Sequence, residues 1–211
     1  MGRYIGPVCR LCRREGIKLM LKGSRCESAK CPMEKQGRNM PPGQAKAFRR
    51  GQGSEYGKRL RETQKVKRYY GLFDTQFRRY FERAAHTAEN TGTALLTMLE
   101  RRLDNVVTKL GFAPSRRAAR ISIGHGHFSV NGHCVNKPGY LVRPGDKITV
   151  NKREASKKMV KHWVDLDPNR PVQGWLKLDG GQLEGQVVAM PGREDVQIPV
   201  EEQLIVEFCN R

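Results

Sequence analysis

Four cysteines fall within the first thirty-one residues: Cys9 and Cys12 are separated by two residues, Cys26 and Cys31 by four. The segment holding them has too few apolar side chains to bury a core of its own, so something other than hydrophobic burial must close it. Two close thiol pairs joined by a thirteen-residue loop suit a tetrahedral structural zinc site. Paired disulfides are the main alternative. They need an oxidising compartment, and Met1 to Leu21 has no continuous apolar run of signal-peptide length. An iron–sulfur cluster also takes four thiolates, although its common spacings are tighter. Four cysteines close the shell around one Zn2+, whereas a catalytic zinc keeps a position open for water, so catalysis at this metal is not expected. Cys134 and Cys209 stand alone, and each reads as a small apolar residue in or near a core.

Charge is the second constraint. The 211 residues carry 40 Lys and Arg against 21 Asp and Glu, a net charge of +19. The surplus is uneven: residues 1–90 hold 22 basic and 8 acidic side chains, residues 91–161 hold 14 and 4, and residues 162–211 hold 4 and 9. Such a cationic body repels itself unless a polyanion offsets it, and counterion release makes nucleic acid the expected partner. Four thiolates around zinc would carry a negative charge, which Arg10, Arg13, Arg14, Arg25 and Lys30 reverse. No stretch approaches the ~18 apolar residues of a membrane span. The acidic last quarter is expected to face protein neighbours.

Residues 34–57 are rich in Gly, Pro, Gln and Arg around Pro41-Pro42-Gly43, with almost no apolar period, and should order only against a partner. Gly51, Gly53 and Gly57-Lys58 resemble a phosphate loop, but the glycine spacing is wrong and Arg59 follows the lysine, so nucleotide binding is rejected.

Helical period begins at Tyr56. Lys58, Arg61, Lys65 and Arg68 recur on one face, and an unneutralised cationic stripe points to phosphate contact. Asp74 is placed to cap a second helix burying Phe77, Tyr80, Phe81, Ala84, Ala85 and Ala88, with Arg78, Arg79 and Arg83 beside that stripe and Gly92 as its stop. Its aromatics read as core rather than as base-stacking platforms. A third helix is expected from about Thr93 to Leu110. Ser115 should cap a short helix whose first turns carry Arg116, Arg117 and Arg120, three cations at a helix N-terminus forming a phosphate clamp. Strands are expected at Phe128 to Val130 and His133 to Val135 about an Asn131-Gly132 turn, then at Tyr140 to Val142 and Lys147 to Val150. This is an α+β module. His125 and His127 have no acidic residue close in sequence to orient either ring, so contact with RNA phosphate or ribose is favoured over metal binding or acid–base work.

The opening Arg3 to Pro7, the four cysteines, Pro41 to Gln44, Tyr56-Gly57, Arg78 to Phe81, Leu99 to Val107, Gly111-Phe112, Ser115-Arg116, Gly124 to Gly132, Tyr140 to Asp146 and Glu202 to Phe208 together resemble the family of bacterial small-subunit ribosomal protein four. The resemblance runs in order along nearly the whole chain. It implies a primary binder of 16S ribosomal RNA that attaches early and nucleates assembly of the subunit body. It also implies a place near the messenger entry and contact with small-subunit protein five, an interface linked to decoding accuracy. The implied plan is a mostly helical domain over 46–95 joined by 196–211, and an inserted α+β RNA-binding module with its extension over 96–195; the zinc-bound arm and basic linker assigned to 1–45 rest on this sequence's own cysteine spacing.

Candidate RNA contacts are Arg3, Arg10, Arg13, Arg14, Arg25, Arg49, Arg50, Tyr56, Lys58, Arg61, Lys65, Arg68, Arg78 and Arg79. In the module they are Arg116, Arg117, Arg120, His125, His127 and Asn131. The implied module also occurs on RNA-modifying enzymes, but once the arm and module are assigned no length remains for a catalytic domain, so no enzyme is expected. A free regulator of messenger or transcription is the rival binding role. No transit-like leader is seen at the N-terminus, which favours the bacterial cytoplasm, with an organelle as the other possible setting.

Overall fold

The computed structural model describes residues 4–43, 54–167 and 170–210. Arg3, Arg49 and Arg50 lie outside them. The chain divides into two compact units, Met1–Leu95 with Ile198–Arg211, and Leu96–Gln197.

In the first unit, α1 (Cys9–Glu15) is followed by a short 3-10 turn, Gly23–Cys26. Then come α2 (Glu55–Tyr70) and α3 (Asp74–Ala85). Ser54 starts α2 by accepting from the Gly57 N–H at 3.1 Å, and Gly71, left-handed at φ 62°, ends it. Val66, Tyr69, Tyr70, Phe77, Tyr80, Phe81 and Ala84 are buried, so the α3 aromatics are core as expected, whereas Ala85 and Ala88 are exposed. The cap of α3 is Phe73, in extended conformation. Asp74 is instead the first helical residue, and its carboxylate accepts from Lys67 at 2.8 Å and Arg78 at 2.9 Å. The last helix, α8 (Glu202–Cys209), lies along α2, with Arg59 donating to Glu207 and Tyr56 tilted 5.7 Å from Phe208.

Helix α4 (Thr91–Glu100) contains Gly92 in its first turn, so Gly92 does not stop α3. In the second unit the expected single helix is broken at Arg101-Arg102, and α5 runs from Leu103 to Lys109. The reason lies in the 138–142 segment. Leu103 and Asp104 donate their backbone N–H groups to Tyr140 and Pro138 at 2.8 and 3.1 Å, while Val142 donates to the Arg101 carbonyl at 3.0 Å. That segment therefore caps α5 rather than forming a strand, leaving one isolated bridge between Arg102 and Leu141.

Ser115 caps α6 (Arg116–Gly124) by accepting from the Ala118 N–H at 3.3 Å. Five antiparallel strands then form one sheet in the order β2-β1-β3-β5-β4. They are β1 (Phe128–Val130), β2 (His133–Cys134), β3 (Lys147–Val150), β4 (Leu176–Asp179) and β5 (Glu184–Val187). Val130 pairs with His133 across a turn in which Asn131 and Gly132 have φ of 50° and 80°, the left-handed pair of a type I′ turn. Between β3 and β4, α7 (Glu154–Leu166) packs Val160 into the module core. That core joins Leu103 and Val106 of α5 and Leu110 just after it to Ile123, Phe128, Ile148, Trp175 and Val187. Phe112 stacks on Phe128 at 6.3 Å. The architecture is α+β.

Candidate nucleic-acid interface and cysteine arm

Helix α1 carries Cys9 and Cys12, the 3-10 turn carries Cys26, and Cys31 follows one turn later. All four are free thiols; Cys12, Cys26 and Cys31 are buried and Cys9 is half-buried. Burial pushes the Cys12 and Cys26 thiols up, and the neighbouring cysteines push further. Against this, the Leu19 backbone N–H favours the Cys12 thiolate, and Lys22 donates its backbone N–H to Cys26 Sγ at 3.3 Å. Sulfurs that repel one another while accepting backbone N–H groups form the donor set a tetrathiolate metal takes. Among the described residues no group of three or more His, Cys, Asp or Glu is placed so as to hold a metal ion. The chemistry of the donor set fits zinc, and such an ion would join α1 to the turns after it.

The arm is tied to α2 through Glu15, whose side chain is 1% exposed and meets Arg61 and Arg68. Burial raises this carboxyl above its ordinary range, and the two arginines only partly oppose the shift. Burial likewise draws the Arg68 guanidinium below its usual range. The cationic stripe of α2 therefore has internal work: Lys65 pairs with Glu62 and also donates to the Pro199 carbonyl at 3.2 Å, and Lys58 pairs with Glu55 at 2.8 Å. The repulsion that pointed to phosphate is relieved within the protein.

Elsewhere in this unit Arg10 and Arg25 are exposed. Arg14 donates to the Pro42 carbonyl at 3.2 Å. Arg13 has a buried Nε without a hydrogen-bond partner among the described residues. Arg78 is exposed despite its bond to Asp74, Arg79 is exposed, and Tyr56 is 54% exposed.

In the module, two of the three α6 arginines turn inward. Arg116 donates to Asn105 Oδ1 and Arg120 to Asp104 Oδ2, both at 2.7 Å. Asp104 also takes both Nε and Nη2 of the buried Arg102, at 3.1 and 2.9 Å. Burial by itself would raise Asp104, but Arg102 and Arg120 outweigh it and hold the carboxyl below its ordinary range. The supposed clamp is thus largely a buried polar network, and only Arg117 stands exposed with no ion pair or hydrogen bond among the described residues.

His125 is exposed, with its ring 6.1 Å from that of His127. The His127 Nδ1 instead meets Ser156 Oγ at 2.9 Å. Burial, then His125 and Arg153, hold its pKa below the usual histidine range. Asn131 is spent on the turn, donating to Asp146 at 2.8 Å and accepting from the Lys147 N–H at 2.9 Å. Of the lone cysteines, Cys209 is half-buried, whereas Cys134 lies exposed on the edge strand rather than in a core.

Sequence reasoning passed over the exposed cations Lys152, Arg153, Lys157, Lys158 and Lys161 at and along α7. The signal was present in Lys157-Lys158-Met159-Val160-Lys161-His162-Trp163-Val164, where apolar and basic positions alternate at helical period.

Compared with known proteins, residues 3–100 match the ribosomal protein S4/S9 N-terminal domain and residues 101–148 match the S4 domain. The small ribosomal subunit protein uS4 of Thermus thermophilus is 50% identical over 211 residues, covering all of both chains. That of Caldicellulosiruptor saccharolyticus is 52% identical, and uS4A of Symbiobacterium thermophilum 51%, each again over the full length of both chains. A likeness that leaves no part of the chain unmatched places it plainly: the chain belongs to the ribosomal protein S4 family.

Proposed function

We propose that this chain is a structural protein of the small ribosomal subunit which binds 16S ribosomal RNA early and nucleates assembly of the subunit body. The full-length likeness to small-subunit proteins carries this reading, because a likeness confined to the module would be shared with enzymes that bear it as an appendage. The protein is not an enzyme; it is a ribosomal component, at work in the cytoplasm where bacterial small subunits reside.

Affinity comes from exposed cations, among them Arg10, Arg25, Arg79 and Arg117, meeting phosphate, with His125 at the module turn. Selectivity comes from RNA shape, since side chains do not read the deep major groove of an A-form duplex. One Zn2+ held by Cys9, Cys12, Cys26 and Cys31 would fold the arm and supply no reaction chemistry. The acidic last quarter serves protein neighbours; through contact with small-subunit protein five and a position near the messenger entry, the chain influences decoding accuracy.

The test is binding of the purified full chain to 16S ribosomal RNA, together with sedimentation of the native protein with small subunits at high salt. Co-sedimentation and saturable RNA binding are expected. A protein found only in ribosome-free fractions would instead be a free regulator.

A further inference from the structure

Helix α7 and the cations beside it lie beyond the residues that the S4 domain matches. Its inner face is fixed by Ser156 and Val160, both 0% exposed, with Trp163 and Val164 packed on the module core. Its outer face presents Lys157, Lys158 and Lys161, and Lys152 and Arg153 precede its first turn. None of these five side chains makes an ion pair or hydrogen bond among the described residues, although Glu154 and Asp165 stand one helical turn from lysines. This is the reverse of α2, where cations are matched to carboxylates.

The order of charge along α7 is uneven as well. Glu154 in the first turn suits the helix dipole, but Lys157 and Lys158 follow at once and Lys161 stands near the middle, while the last turn has no basic residue and is followed by Asp167. A helix dipole favours cations at the C-terminal end, so these lysines gather positive potential over the first turns and the middle of the helix instead of complementing that end.

That end is rigidly joined to the histidine turn. Asn151 donates its backbone N–H to the His127 carbonyl at 2.8 Å and its side-chain amide to the Gly126 carbonyl at 3.0 Å. The His127 ring is fastened to Ser156. The nine residues from Arg153 to Lys161 span eight helical rises, about 12 Å, enough to follow several phosphates.

We infer that the exposed face of α7, continuous with the His125–His127 turn, binds the sugar–phosphate backbone of structured RNA as a contact additional to the module's own. The inference rests on the RNA-binding function proposed above and adds a surface to it. A protein partner fits poorly, because lysine is depleted from protein interfaces. A membrane fits poorly as well, because binding there needs several bulky apolar side chains beside the charges, and among the described residues of α7 only Leu166, at its far end, is an exposed large hydrophobic.

The test uses the full chain and 16S ribosomal RNA, comparing the wild type with Lys157→Gln/Lys158→Gln/Lys161→Gln. Glutamine keeps helix propensity and the replaced groups are exposed, so thermal melts should coincide. The variant is expected to bind roughly tenfold or more weakly near 0.1 M salt, with the slope of log affinity against log salt shallower by about two to three. In the wild-type complex, acetylation of the three lysines should slow relative to the free protein. Unchanged affinity and slope with unprotected lysines would remove this surface while leaving the RNA-binding function intact. Unchanged RNA binding with impaired incorporation into protein-containing subunits would reassign the face to a protein neighbour and overturn the proposal. Failure of the wild type itself to bind would strike the underlying function, and this surface with it.

Discussion

Asp104 shows what one residue does here. Its carboxylate is 1% exposed and shared by the buried Arg102 and by Arg120, so α5, α6 and the chain break before α5 meet at a single charge. Removing one partner of a buried pair leaves the other uncompensated, a loss of about 3–5 kcal/mol. Asp104→Asn should lower the unfolding free energy by that order at neutral pH, as measured by urea melts. The folded-state pKa is depressed, so the stabilisation is present above the ordinary aspartate value of about 3.9 and is lost as pH falls through the lower folded value. The deficit between variant and wild type should therefore shrink below about pH 3.9; a constant deficit would mean that the carboxylate charge is not its source. Glu15 plays the joining part for the arm. Glu15→Ala should speed amide exchange in α1 without comparable change in α6, because it frees the α1 end from Arg61 and Arg68. These roles are not written in local sequence, where Arg116 and Arg120 look the same as the exposed Arg117.

At the scale of elements, periodicity and capping chemistry decide where information is local. Ser115 before an amphipathic run, and Asn131-Gly132 between short alternating segments, specify their helix start and hairpin through neighbours a few residues away. The break between α4 and α5 was hidden because its cause, the backbone of residues 138–142, is nearly forty positions distant, while the apolar period runs straight through Arg101-Arg102. Strands β4 and β5 were hidden too: they are four residues each, and Gly185 interrupts their alternation. That glycine has a tertiary cause. It pairs with Ile148 of β3 and Leu178 of β4, and a Cβ there would overlap the side chain of Leu110, the residue that ends α5. Gly185→Ala should destabilise the module by about 1–3 kcal/mol through overpacking, and Leu110→Ala in the same background should recover part of the loss in thermal melts.

For the whole molecule, the surplus of +19 governs association. With six to ten phosphates neutralised, affinity for RNA should fall by ~10³ to 10⁵ between 50 and 200 mM salt on the duplex slope, somewhat less for single strands. A nearly flat response in a filter-binding titration would contradict electrostatic capture. If zinc folds the arm, chelation or Cys9→Ser should lower metal content and remove the arm's part of the RNA footprint while the module's part persists; unchanged metal and footprint would take the cysteines out of the mechanism.

Composition, four closely spaced thiols and the in-order motifs were enough to determine the α+β class, the family and the polyanionic partner, because charge totals and short-range spacing do not depend on how distant segments meet. Which cations face outward was decided only by tertiary structure. Burying Glu15 or Asp104 demands nearby positive charge, so packing pairs Arg68, Arg102, Arg120 and the still partly exposed Arg61 with these carboxylates, while α7, whose inner face buries only Ser156 and apolar side chains, keeps its lysines at the surface. The cysteine arm sits between these cases: its proposed zinc ligands are read from spacing alone, but its attachment to α2 through Glu15 depends on a contact across more than forty residues.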